Sequence, residues 1–147
     1  MKKLQSILVI MLMAVIPMLF VACEGDVSEK NYSKKIIGKW QCIATEYEWE
    51  EGTDKESDYA DMTIAKWIWE FDKDGKLNVS YSGEDSETYT YKIDGKKLYS
   101  DYAAELRGMG LTYFDITEFE SKELTLEMSY DIDGVKARFV YYLKKAK

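Results

Sequence analysis

The sequence predicts an all-β fold: eight antiparallel strands in an up-and-down meander, closed into a barrel. Three observations predict it. From Ile36 onward apolar and polar residues alternate with a period of two rather than the helical 3.6. Most of these runs are joined by short segments of Gly, Asp, Ser and Lys, the spacing of an all-β sandwich or barrel. The single proline is Pro17, so residues 36–147 contain nothing that is unable to donate to a ladder. So even a meander favours the barrel, because closure leaves no exposed sheet edge.

A segment of different composition precedes the strands. Met1-Lys2-Lys3 leads into an apolar run from Leu4 to Ala22, broken only by Gln5, Ser6 and Pro17, and then comes Cys23. A basic start, an apolar middle and small residues at the end are the parts of a secretory signal. A retained membrane helix is the alternative. Spanning takes about 20 apolar residues, and this run is interrupted at Pro17 and ended at Cys23. Phe20-Val21-Ala22-Cys23 resembles a bacterial lipoprotein lipobox, with Phe20 departing from the usual aliphatic. The resemblance implies a signal peptide at 1–22, cleavage before Cys23 and lipid on its sulfur. Residues 23–35 are then the lipidated cysteine and tether, and 36–147 the barrel domain.

Loss of Lys2 and Lys3 takes the formal charge from −7 to −9. The anchor would be covalent lipid. It would hold the protein in the cell envelope at the outer membrane, facing either the periplasm or the surface. Glu24, Asp26 and Glu29 resemble the surface-export signal of Bacteroidota lipoproteins, with a solvated tether as the alternative. With Cys23 lipidated, Cys42 has no partner and there is no disulfide framework. Its apolar strand pattern marks a buried thiol acting as a small hydrophobe.

The elements follow in order. A helical turn at Asn31 to Lys35, capped by Asn31 or Ser33, leads in. The first strand runs from Ile36 to Trp49. Trp40, Cys42 and Ala44 share one face and Ile43, Thr45, Tyr47 and Trp49 the other, so the strand should bend and exchange its buried face. Glu50 to Asp61, rich in Gly, Asp, Glu and Ser, is expected as one long loop. The second strand, Lys66 to Phe71, aligns Trp67, Trp69 and Phe71, and Asp72-Lys73-Asp74-Gly75 turns it. The third aligns Leu77, Val79 and Tyr81, and Gly83 to Ser86 turns it. The fourth aligns Tyr89, Tyr91 and Ile93 and ends at Asp94-Gly95, a two-residue hairpin signal with positive φ at both positions.

A short fifth strand covers Lys97 to Asp101, and Ala103 to Gly110 is irregular with room for a helical turn. The sixth strand holds Phe114 and Ile116 and then shifts phase to Phe119, the mark of a bulge. The seventh alternates Leu124, Leu126, Met128 and Tyr130 with Thr125, Glu127 and Ser129. After the turn at Asp131 to Gly134, the eighth aligns Ala137, Phe139, Tyr141 and Leu143.

Composition excludes several chemistries. The chain has no histidine, so it has no His general base, no Ser-His or Cys-His pair and no His-ligated zinc. Its net charge of −7 opposes nucleic-acid binding, which needs a basic stripe. Asp72-Lys73-Asp74-Gly75 and Asp131-Ile132-Asp133-Gly134 lack the third ligand and distal Glu of a calcium loop, and read as hairpin turns. There is no Gly-rich phosphate loop and no G-x-S-x-G elbow. Binding without metal, cofactor or catalysis is the expectation.

Gly38-Lys39-Trp40 matches the G-x-W pattern of lipocalins. More closely, the chain resembles the lipocalin-like domains of small Bacteroidota lipoproteins. The residues that carry this are Ile37 to Trp40, Trp67 to Gly75, Tyr91 to Ile93 and Glu123 to Leu126, within about Ile36 to Lys144. The second lipocalin signature, Thr-Asp-Tyr, is missing. The resemblance implies an eight-stranded barrel in which an arginine near the last strand packs on the first-strand tryptophan, here Arg138 on Trp40.

Every aromatic residue except Phe20 lies beyond the signal segment. Aromatics are good strand and core residues, and an eight-stranded barrel is just wide enough to be filled by side chains or to hold one small ligand. Trp67, Trp69, Tyr81, Tyr91, Met128, Phe139 and Tyr141 on inward faces are the candidate ligand-binding set. The expected protein is a monomer that binds a small apolar molecule at one mouth of the barrel. The alternative is a filled barrel acting as a surface module, with exposed Tyr/Trp and acidic loops that bind protein or glycan.

Overall fold

The computed structural model describes residues 27–107 and 110–147. Residues 1–22 and Cys23, on which the signal and lipidation expectations rest, lie outside them. A 3-10 turn at Glu29–Asn31 runs into α1 (Tyr32–Lys35). The strands are β1 (Gly38–Glu51), β2 (Asp54–Asp61), β3 (Trp67–Phe71), β4 (Lys76–Ser80), β5 (Glu87–Asp94), β6 (Lys97–Ser100), β7 (Tyr113–Phe119), β8 (Glu123–Ile132) and β9 (Val135–Lys145). Between β6 and β7 lies α2 (Asp101–Arg107).

Neighbouring strands pair antiparallel, and β9 returns to β1, so that β1 and β3 to β9 close an eight-stranded barrel as expected. The ninth strand is a correction. Glu50 to Asp61 is not one long loop but the end of β1, a tight turn and β2. Gly52 supplies the turn with a φ of +60°. All of β2 is exposed except Ala60. Alternation reveals a strand only when one face is buried, so a strand that is polar on both faces reads as loop.

β1 divides its length between two partners on one side. Gly38 to Cys42 pair with β3, and Ala44 to Glu51 pair with β2. Its other side pairs with β9, with a register shift between Cys42 and Ala44. This bulge exchanges the buried face as expected. Trp40 and Cys42 point into the core before it, and Tyr47 and Trp49 pack against the core after it. A second shift, between Ile116 and Glu118 against β8, lies where the sequence phase slips.

Local corrections have local reasons. Asn31 precedes α1 but makes no side-chain cap hydrogen bond. Residues expected to be irregular form α2, which starts earlier, at Asp101. The β5–β6 turn is Gly95-Lys96, because Asp94 pairs with Lys97 and of these turn residues only Gly95 has positive φ. Positive φ at both central positions occurs instead at Asp133-Gly134 and at Ser82-Gly83. In the β3–β4 turn Asp72 Oδ1 accepts the backbone N–H groups of Asp74 and Lys76, each at 2.8 Å. That carboxylate holds a turn, as the hairpin reading required.

Trp40, Trp69, Phe71, Phe114, Leu126 and Tyr141 are wholly buried inside the barrel. From α2, Tyr102 and Ala103 join them across one mouth.

Candidate functional site

The expected ligand-binding residues mostly form packed core. Trp67, Trp69, Met128, Phe139 and Tyr141 are all buried. The Trp69 ring lies 5.1 Å from Tyr102, 5.5 Å from Phe114, 5.6 Å from Trp67 and 5.8 Å from Tyr141, centre to centre. Trp67 Nε1 donates to Tyr102 Oη at 3.2 Å. Trp67, Trp69 and Tyr141 thus come together, ring against ring. Phe139 stacks instead on Tyr47, and Met128 opposes Phe139 across the β8–β9 ladder. Tyr91 is half-buried, packs edge-on against Phe71, and donates its hydroxyl to the Asp72 carbonyl. Tyr81 is exposed at the mouth, edge-on to Trp67.

The cation over the G-x-W tryptophan is not the one the resemblance implies. Trp40 is wholly buried, and its Nε1 donates to the Ile36 carbonyl at 2.7 Å. The charge over its ring is Lys145 Nζ at 4.5 Å, not Arg138. The β1–β9 register explains the correction, because it sets Lys145 opposite Trp40 and Arg138 opposite Glu48, several residues along the strand. Arg138 lies on the outer face of the sheet, 3.1 Å from Glu127 and 3.3 Å from Glu48. These carboxylates, Glu127 first, hold its guanidinium above the ordinary range.

An open concavity lies elsewhere among the described residues. A cleft of about 730 Å³ is bounded by Glu48-Trp49-Glu50 of β1, Lys55-Glu56-Ser57 of β2, Ser129-Tyr130-Asp131 of β8 and Lys136-Ala137-Arg138 of β9. These residues make three consecutive rows across the four strands in the order β2, β1, β9, β8. The middle row is Glu56, Trp49, Ala137 and Tyr130. The flanking rows are Lys55, Glu50, Lys136, Asp131 and Ser57, Glu48, Arg138, Ser129. Strand alternation puts the middle row on the face where Trp49, Ala137 and Tyr130 pack against the core.

The four strands extend past the barrel wall at this end, because β3 leaves β1 at Cys42 and β7 leaves β8 at Glu127. Sequence reading places Trp49 and Tyr130 on strands but not in a site. The available signal is that each is the last aromatic of its run, and only the register across four strands makes them neighbours.

Other reactive groups are committed to structure. Cys42 is wholly buried, and burial pushes its thiol up from 9.0 to about 12, against the lowering effect of its hydrogen bond to Ala44. Tyr89 Oη lies 2.5 Å from Glu87 Oε2 and 2.8 Å from Glu105 Oε1, tying β5 to α2. Burial, reinforced by both carboxylates, raises its phenol. Among the described residues no cluster of three or more His, Cys, Asp or Glu is placed to hold a metal ion. None of the described helices is long and apolar enough to cross a membrane.

The closed eight-stranded antiparallel barrel is consistent with a lipocalin-like, or calycin, fold. No family model matches the chain, and no curated protein matches it.

Proposed function

We propose that this is a lipid-anchored, lipocalin-like binding protein of the cell envelope. It takes a small, mainly apolar molecule at the extended end of the barrel rather than in its packed centre. The observation that carries the reading is the cleft of about 730 Å³ with Trp49, Ala137 and Tyr130 along its middle row. Its volume is in the range of small-molecule sites, and such sites combine an apolar surface with a few polar groups. Here the apolar body of a ligand lies along Trp49 and Tyr130, on the face they share with Ala137 and Glu56. The anchor reading rests on Cys23 and its neighbours, and implies attachment at the outer membrane. The lack of histidine and of a nucleophile paired with a base supports binding over catalysis.

The test is titration with N-phenylnaphthylamine, an uncharged apolar dye, followed by its fluorescence. Saturable binding is expected, weakened about tenfold or more by Trp49→Ala or Tyr130→Ala. Binding equal in both variants, or no binding, would overturn the cleft as the site. Loss on Trp69→Phe alone would return the ligand to the barrel centre.

A further inference from the structure

Among the described residues β2 pairs with β1 alone, and its outer edge is unpaired along its whole length, Asp54–Asp61. A free edge presents backbone N–H and C=O groups to any strand that can lie beside it. The edge is accessible, because all of β2 but Ala60 is exposed and β3 has already left β1 at Cys42.

The ladder gives this edge a definite sign. Glu56 and Asp58 oppose Trp49 and Tyr47 and share their face. Lys55, Ser57 and Tyr59 share the other face with Glu50, Glu48 and Glu46. Arg138 answers Glu46 and Glu48 at 4.0 and 3.3 Å, and Lys55 answers Glu50 at 3.3 Å. Glu51, Asp54, Glu56 and Asp58 form no ion pair among the described residues. The β2 strand of a second copy would bring the same carboxylates to the edge, and like charges across a strand pair repel. A cationic strand meets Glu56 and Asp58 at the two-residue spacing of its own side chains.

We propose that the outer edge of β2 docks an extended basic polypeptide segment. The segment adds a further antiparallel or parallel strand and sets Lys or Arg at alternate positions against Glu56 and Asp58. Backbone pairing supplies the geometry, and the carboxylates select the sign of the partner. Glu56 borders the neighbouring cleft as well and Asp58 does not, so peptide binding reads the edge and dye binding reads the cleft.

The test is fluorescence anisotropy of the full protein with a labelled octapeptide of alternating Lys and Thr. Two further peptides of the same sequence are N-methylated on the odd or on the even residues. The unmodified peptide is expected to bind, and one of the methylated peptides to bind about tenfold or more weakly. Methylation removes the donors that face β2 while leaving every charge in place. The Glu56→Lys/Asp58→Lys variant is expected to lose a similar factor while keeping its circular dichroism and Tm, since both side chains are exposed. Equal binding of all three peptides would mean plain charge attraction and overturn the proposal. Absence of binding, or undiminished binding to a folded double variant, overturns it as well.

Discussion

Lys145 Nζ sits 4.5 Å above the Trp40 ring and donates to the Ile37 carbonyl at 2.7 Å, fastening the last strand to the entry of the first. Gly38 makes this approach possible. Its φ is +123°, and a Cβ there would lie 2.9 Å from the ammonium. Burial, with Lys35 nearby, holds the Lys145 amine below its ordinary range. The arrangement therefore sets a desolvation cost against a cation–π contact and a charged hydrogen bond. The G-x-W residues and Lys145 form one structural unit beside α1 and Ile36.

Lys145→Met keeps the apolar stem and removes the charge. It is expected to cost at most about 1–2 kcal/mol, the combined scale of a partly desolvated cation–π contact and a hydrogen bond, reduced by the desolvation cost that loss of the charge relieves. Gly38→Ala adds backbone strain of about 1–3 kcal/mol at positive φ, beyond the clash with the ammonium. Urea unfolding measures both. An unshifted midpoint for Lys145→Met would show that Trp40 holds its place without the cation.

Alkaline pH should destabilise the fold through Cys42. Its thiol ionises near 9.0 when exposed and only at about 12 in the folded chain. Between these values the unfolded chain binds fewer protons, so stability falls as pH rises, by up to about 1.4 kcal/mol per pH unit. Tyr102, Tyr91 and Tyr142, whose phenols burial raises, steepen the loss above their ordinary 10.0. Tm measured from about pH 8 to about pH 10 should decline less steeply in Cys42→Ala than in the parent. Parallel slopes would remove Cys42 as a cause. In the native protein the same burial should leave the thiol unreactive toward iodoacetamide.

Tyr102→Phe tests the polar contact inside the aromatic core. The variant keeps the ring that packs on Trp69 at 5.1 Å but removes the oxygen that accepts from Trp67 Nε1. A buried donor left without a partner costs about 1–3 kcal/mol. Chemical denaturation should show a loss on that scale. A loss near zero would mean that Trp67 Nε1 finds another acceptor.

Cys23→Ser tests the anchor. Metabolic labelling with a palmitate analogue should mark the parent and not the variant, and the variant should retain its unprocessed length. Persistent labelling would reject Cys23 as the lipid site. Its failure would leave the dye titration of the cleft unaffected, because the two readings rest on different residues.

The strands whose two faces differ were legible. Trp67, Trp69 and Phe71 alternate with Ile68 and Glu70, and Leu124, Leu126 and Met128 with Thr125 and Glu127, and both runs are strands with those residues buried. The bend of β1 was legible as well, because Trp40 and Cys42 differ in phase from Tyr47 and Trp49. β2 was not, since neither of its faces is buried. Arg138 was misplaced because nearness to the last strand does not fix register, and register sets Lys145 rather than Arg138 opposite Trp40.

The order of apolar and polar residues by itself determined a run of antiparallel strands with one buried face each, and its even spacing favoured a barrel over a sandwich. Three things were decided only by tertiary structure. The aromatic rings close on one another in the centre, Lys145 covers Trp40, and Trp49 meets Tyr130 in a cleft at the extended end. The physical reason is common to all three. Alternation says which side of a strand is buried, while the neighbour met there depends on strand register, and register is fixed only when β9 closes on β1.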